Sequence, residues 1–144
     1  MLQKRFRTLT SMTFADWRWI GVAWVALARA RWRIARQPMP AIIAELHRTA
    51  RPRQAATDSA PMVRGVLRAK HLFPIAMLCL PESVAIAELL VQRGQPCALV
   101  MGARLTDENG LDAHAWVEQD GVPINSPLTS ATDHPVYLRE TIEC

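Results

Sequence analysis

Several common functional signatures are missing from these 144 residues. The sequence has no CxxC pair, no HExxH, no GxSxG and no phosphate-binding glycine loop. Its three cysteines, Cys79, Cys97 and Cys144, cannot all pair, and no short metal-ligand spacing links them to the four histidines. The sequence therefore predicts no metal and no cofactor, and it predicts a cytoplasmic protein with reduced thiols.

A long apolar run is also missing. The N-terminal run over residues 19–28 is far shorter than the roughly 20 residues that a spanning helix needs, and arginines follow it closely. Although its outline imitates a secretory signal, we predict an amphipathic helix over about 13–36 and no membrane span. Trp17, Ile20, Trp24 and Leu27 recur at helical spacing and should pack on the body. An alternative is that this basic helix rests on an anionic membrane surface.

Positive charge is concentrated in the first half of the chain. Residues 1–70 hold 14 Lys/Arg against 3 Asp/Glu, whereas residues 71–144 hold 3 against 10. The two halves could neutralise each other, or the basic half could meet an acidic partner. Few aromatics interleave with these arginines in the manner of a nucleic-acid site, so we expect no nucleic-acid partner.

A cysteine stands at the start of a predicted helix in the middle of the chain. Pro81 and Glu82 favour a first helical turn, and Gly94 suits the helix stop. Unpaired N–H groups and the positive end of the helix dipole at this start favour a thiolate at Cys79. The helix is apolar on most faces, so its body should be buried and its start reactive.

Two strands and a hairpin follow this helix. Residues 97–104 are apolar on both alternating sets, which predicts a central strand. Next comes a strand over 113–118, and Asp120-Gly121 predicts a tight hairpin turn. Period-two geometry places His114 on the same face as Trp116 and Glu118. Pro123 makes the return strand an edge candidate.

A cysteine nucleophile requires a base and a group that orients the base. Cys79 is the predicted nucleophile and His114 the predicted base, and Asn125 on the return strand is predicted to orient the imidazole. Asp120 is the runner-up for this third role, although a tight turn favours a structural aspartate there, and Asp112 is weaker. The competing histidine is His134, which a loop setting would hold poorly.

These residues carry a family resemblance. The sequence resembles a transglutaminase-like core, and within it the leader peptidases of lasso-peptide biosynthesis, in Cys79-Leu80-x-x-Ser83, Arg93-Gly94, Gly102-x-Arg104, the 113–118 run and Asp120-Gly121. The resemblance covers about 62–128. It implies an α+β fold with a transglutaminase-like (papain-like) core, in which the nucleophile helix packs on a small antiparallel sheet. Residues 1–61 would form an N-terminal helical arm and linker that docks a partner, and 62–144 the protease core.

The resemblance also implies a function and its partners. It indicates a cysteine peptidase that removes the leader peptide from a lasso-peptide precursor. A separate leader-recognition protein would take part, and an ATP-dependent macrocyclase is a further candidate partner. Relatives commonly carry an aspartate near the end of the return strand, where this chain has Asn125-Ser126. Two alternatives stay open: a transamidase on the same fold, and a non-catalytic docking protein that binds a peptide or the cyclase.

Overall fold

The computed structural model describes residues 14–55, 57–106, 110–127 and 132–144. Helices come first and strands follow, so the fold is α+β as predicted. The helices are α1 (Phe14–Arg36), α2 (Met39–Thr49), α3 (Ala60–Leu72) and α4 (Cys79–Val91), and the strands are β1 (Cys97–Thr106), β2 (Gly110–Gln119), β3 (Val122–Pro123) and β4 (Val136–Ile142).

The four strands form one antiparallel sheet in the order β3-β2-β1-β4. Gly102 of β1 pairs with His114 of β2. Between β2 and β3, Asp120 and Gly121 have φ values of 49° and 77°, the left-handed pair that a two-residue hairpin turn requires. Pro123 lies on the edge strand, where its missing N–H leaves no gap in the ladder. The predicted hairpin and edge strand are therefore confirmed.

Helix α4 forms the centre of the core. Almost every side chain of this helix is buried, including the polar Glu82, Ser83 and Glu88. Its apolar residues share one cluster with side chains of the sheet and of the other three helices, among them Leu99 and Val117. A sequence that is apolar on nearly all faces gives this result, because a helix with no polar side has to be covered all round.

Helix α1 packs against α3 and α4 through a stripe of aliphatic side chains, and Trp19 also packs against this core. Its buried stripe consists of Ile20, Ala23, Ala26, Leu27 and Ala30. Of the four residues that spacing predicted to pack on the body, Ile20 and Leu27 are buried, whereas Trp17 and Trp24 are 47% and 40% exposed, so the prediction was right for the first pair and wrong for the second. The alanines let the backbones approach closely, which leaves the large side chains outside. No helix in the described ranges is both long and apolar enough to cross a bilayer.

The segment before α3, predicted to be a linker or a mobile loop, is held against the end of α4. The N–H of Arg51 donates to the carbonyl oxygen of Val91 at 2.9 Å, and that of Gln54 to Gly94 at 3.0 Å. In addition, Ser59 Oγ donates to Gln119 at 2.6 Å. The division of the chain at residue 61 stays a prediction, while the apolar cluster itself includes residues on both sides of it.

Two glycines offer a matched test of this packing. A Cβ added at Gly21 of α1 would meet no atom within 4 Å, so we expect Gly21→Ala to raise the free energy of unfolding by about 0.5–1 kcal/mol through helix propensity alone. A Cβ at Gly65 of α3 would lie 2.7 Å from Trp19 Cβ, so Gly65→Ala should destabilise the protein. Urea denaturation measures both changes. Equal effects in the two variants would contradict the close packing of α1 on α3.

Candidate active site

Cys79 is the first residue of α4, and the residue before it, Leu78, is extended and 68% exposed. The first N–H groups of a helix have no partner within the helix. Pro81 has no N–H to leave unpaired, and the N–H of Glu82 is the first that bonds back, to the carbonyl oxygen of Leu78 at 3.4 Å. Cys79 itself is half-buried, so its thiol lies where the core meets solvent at the positive end of the helix.

The start of α4 lies against the free edge of β2. Val117 turns its carbonyl and N–H away from β1, since they bond to the N–H of Ile124 and to Asn125 Oδ1. Alternate residues of an antiparallel strand point their backbone groups the same way, so the Ala115 carbonyl faces this edge too. Ser83 Oγ donates to that carbonyl at 3.0 Å. Cys79 is one turn, about 6 Å along the axis, before Ser83, and Ala115 follows His114 directly.

Asn125 lies in the bend after β3 rather than on the return strand as predicted, and it joins this bend to both β2 and α4. Its Oδ1 accepts the N–H of Val117 at 2.8 Å, and its Nδ2 donates to Glu82 Oε1 at 3.0 Å and to Ser83 Oγ at 3.1 Å. Both N–H donors of the amide are used in these bonds, and among the described residues Asn125 makes no hydrogen bond to the imidazole of His114, in contrast to the prediction from the sequence. The structure gives that contact to the next residue: Ser126 Oγ lies 2.8 Å from His114 Nε2.

Glu82 is a buried acid with two partners. Its Oε2 lies 2.6 Å from Lys70 Nζ of α3, while its Oε1 receives the Asn125 amide. Because the carboxylate is only 2% exposed, it depends on these partners for the hydrogen bonds that water would otherwise supply. Glu82 thereby links α3, α4 and the bend after β3 at a point one turn inside the helix start.

His114 lies on the sheet face that the α4 core does not cover. The ring stacks on that of Trp116 at 5.8 Å, and Trp116 is fully buried. Ala115 and Val117, by contrast, belong to the helical core cluster, which confirms the predicted alternation along β2. Burial lowers the pKa of His114, and the nearby His134 lowers it further, whereas the charges of Glu82 and Asp112 oppose this shift.

His134 occupies a buried position beside His114, in contrast to the poorly held loop residue that the sequence indicated. Its ring centre is 5.5 Å from that of His114, and its Nε2 lies 3.2 Å from Asp112 Oδ2. The backbone of β1 makes room for it, since a Cβ at Gly102 would come within 2.6 Å of the His134 carbonyl oxygen. The periodicity of the sequence does not predict that His134 lies beside His114. Gly102 in an otherwise apolar strand was the sole hint.

The remaining candidates have other surroundings. Asp120 is exposed in the hairpin turn, as its structural interpretation predicted. Asp112 pairs with Arg104 at 3.0 Å, and its pKa is lowered mainly by that hydrogen bond and then by His134. Within the described ranges, no three His, Cys, Asp or Glu side chains converge in a way that could hold a metal ion.

The three thiols differ in their surroundings. Burial raises the pKa of Cys97 to about 12, so this thiol is inert packing in the core. Burial also raises the pKa of Cys144, whose Sγ lies 3.9 Å from the Val91 carbonyl oxygen at the far end of α4. Cys79 alone among them stands at a helix start beside a histidine-bearing strand.

A family model described as the transglutaminase-like superfamily matches residues 23–136. Since this is most of the chain, the chain belongs to the transglutaminase-like superfamily, and the predicted transglutaminase-like fold is confirmed. The match begins well before residue 62, where the motif resemblance started, and it takes in most of α1. Membership indicates a function of the cysteine-protease or transamidase type. Searches of the curated proteins and of the solved structures give no significant match.

The separate contacts of Asn125 and Ser126 predict separate effects. Asn125→Ala should lower the free energy of unfolding by about 1–3 kcal/mol, because it leaves the Val117 N–H, Glu82 and Ser83 short of partners. Ser126→Ala removes one hydrogen bond at a half-buried site and should cost less than about 1 kcal/mol. Urea denaturation at neutral pH compares the two. Similar losses would contradict a structural role confined to Asn125.

A carboxylate at position 126 should raise the pKa of His114. In Ser126→Asp the new charge would lie beside Nε2 and stabilise the protonated ring. An NMR titration of the His114 imidazole measures the change, and Ser126→Asn is the uncharged control. In the wild-type protein the lowered pKa means that the unfolded chain binds this proton more readily, so the contribution of His114 to stability falls as pH drops through the folded pKa. An unchanged pKa in Ser126→Asp would contradict the contact.

Proposed function

We propose that the protein is a cysteine peptidase in which Cys79 is the nucleophile and His114 the base. The observation that carries the proposal is the placement of the α4 start on the free edge of β2. The hydrogen bond from Ser83 to the carbonyl oxygen of Ala115, the residue after His114, fixes this placement. The His114 side chain projects from the sheet face opposite the one that α4 covers, so the thiol and the imidazole would meet around this edge. In the described part of β2, β3 pairs only with Glu118 and Gln119, so no strand covers the edge at Ala115 and α4 can approach it.

The proposed mechanism requires one tautomer of His114, which the hydrogen bond to Ser126 can accommodate. If the Ser126 hydroxyl accepts from Nε2–H, then Nδ1 carries the lone pair that can take the proton of the Cys79 thiol. Ser126 has no charge, so it fixes the ring without stabilising the imidazolium as a carboxylate would. In this scheme Ser126 takes the positioning role first predicted for Asn125, and Asn125 holds the edge on which both groups stand.

Acyl transfer then proceeds in two steps. The Cys79 thiolate attacks the scissile carbonyl carbon, and the unpaired N–H of Cys79 at the helix start donates to the oxyanion. As the intermediate collapses, the C–N bond breaks and protonated His114 gives its proton to the leaving amine. Water, deprotonated by His114, attacks the thioester, and the carboxylic acid leaves as the thiol re-forms.

The substrate we propose is a lasso-peptide precursor, cut between its leader and its core peptide. This proposal is supported by the motif set around Cys79 and His114, which resembles that of the lasso leader peptidases, together with superfamily membership. A leader-recognition protein would present the leader, and a macrocyclase would receive the released core peptide. The same acyl-enzyme could pass its acyl group to an amine, so a transamidase is the enzymatic rival to be tested.

Cleavage of a lasso-peptide precursor in the presence of a leader-recognition protein tests the proposal. Wild-type protein should release the leader, Cys79→Ala should give no product, and His114→Ala should lose about 10²–10⁴-fold in rate because the base is gone. Mass spectrometry measures the products. Cys144→Ala and His71→Ala are matched controls at a half-buried thiol and an exposed histidine, and both should cleave normally.

Two results would overturn this assignment. Equal leader release by the wild-type protein and Cys79→Ala would remove the cysteine from the chemistry and favour a docking protein. Robust amide formation with an added lysine amine, at the expense of hydrolysis, would assign a transamidase. Iodoacetamide labelling gives a readout that needs no substrate: Cys79 should label far faster than buried Cys97, and His114→Ala should slow that labelling.

A further inference from the structure

Helix α1 has a second apolar face, which points away from the core. Phe14, Val25 and Trp32 are 87%, 60% and 53% exposed, and their spacing of eleven and seven residues puts them in one row along the outside of the helix. Gly21 continues the row, since the direction of its missing Cβ meets no atom within 4 Å. The row from Phe14 to Trp32 is about 27 Å long at 1.5 Å per residue. Exposed apolar surface of this extent on a small protein marks an interaction site.

Arginines border this row on both sides. Arg18, Arg29 and Arg36 follow one border at the same spacing, and Arg31 lies on the other border beyond Trp17 and Trp24. Arg29 is paired with Glu88 of α4. In the described part of the chain, Arg18, Arg31 and Arg36 have no acidic partner, and Arg36 lies over the ring of Trp32 at 5.0 Å. An apolar strip with unpaired cations at its borders suits a partner that is apolar inside and anionic at its surface.

A basic groove adjoins this row on the side of Arg18. It has a volume of about 350 Å³ and is lined by Arg18, Arg51 and Arg93 together with Trp19 and Val22, and none of the described side chains that line it is acidic. Arg93 stacks on the Trp19 ring at 4.6 Å, which leaves the edge of its guanidinium for a ligand. Forked guanidinium groups bind phosphate oxygens well. The groove therefore fits the phosphate of a lipid headgroup whose acyl chains lie beside the apolar row.

We propose that the outer face of α1 binds the surface of an anionic phospholipid membrane. Phe14, Val25 and Trp32 enter the interfacial layer, and the bordering arginines with the Arg18–Arg51–Arg93 groove bind headgroup phosphates. The apolar surface continues from Trp24 to Phe73, whose ring lies 5.4 Å away, and on to exposed Ile75 and Leu78 just before Cys79. This surface is independent of the proposed chemistry.

Flotation with vesicles tests the proposal on the full chain. Wild-type protein should float with phosphatidylcholine–phosphatidylglycerol vesicles at about 0.1 M salt and bind phosphatidylcholine vesicles at least 10-fold more weakly, because surface charge is only partly screened there. The double variant Val25→Ser/Trp32→Ser should bind the anionic vesicles at least 10-fold more weakly, and so should Arg18→Gln/Arg51→Gln. Leu105→Ser/Leu111→Ser, which alters two apolar side chains that are exposed on the sheet, is the matched control and should float like wild type.

Circular dichroism establishes that each variant is folded, and the two double variants on α1 affect different groups, so loss of fold in one leaves the other to decide. Failure of the wild-type protein to float would overturn the proposal, as would wild-type flotation in both α1 variants. Binding to poly-glutamate in place of the vesicles would assign the face to an acidic protein partner and would also overturn it. Leader cleavage without lipid does not bear on these outcomes, so the two proposals can fail separately.

Discussion

The amide of Asn125 joins the two halves of the candidate site. It connects the β2 backbone at Val117 to the buried side chains of Glu82 and Ser83 in the first turns of α4. Without it, α4 and β2 would be held by the single bond from Ser83 to the Ala115 carbonyl and by apolar contacts, which do not specify a register along the edge. Directional bonds at a buried position do specify one, because each unsatisfied group would cost free energy. The placement of Cys79 relative to His114 therefore depends on a side chain that touches neither of them.

Much of the fold could be predicted from the sequence because its local signals agree. The apolar helix with Cys79 at its start, the two-sided strand after Gly94 and the Asp120-Gly121 turn each have a direct physical reading, and all three are present. Orientation on α1 could not be predicted, because Trp17 and Trp24 have the same spacing as the stripe that is buried. The choice between the two faces was made by the small side chains that let α1 approach α3. Such complementarity depends on the partner helix and leaves no trace in the periodicity of α1.

In the candidate site, too, some features could be predicted from the sequence and others could not. Cys79 and His114 could be selected from residue chemistry and element type, whereas their neighbours depend on how two distant segments cross. Whether Asn125 or Ser126 contacts His114 is a matter of one residue along the bend that follows β3. His134 reaches His114 because β1 has a glycine at the crossing point and an irregular pairing with β4 at Met101/Gly102. Neither feature can be inferred without knowing that β4 returns beside β1.

The burial of α4 on almost every side has a consequence for control of the site. Most enzymes that are switched on and off by conformational change carry a reactive group on a segment that can shift while the rest of the molecule stays in place. Here the thiol stands at the start of a helix whose body is buried from Pro81 onward, so the helix as a whole cannot shift without disrupting the interior. A natural regulator would have to act instead on the approach to the sulfur, for example by covering or uncovering the surface at Leu78.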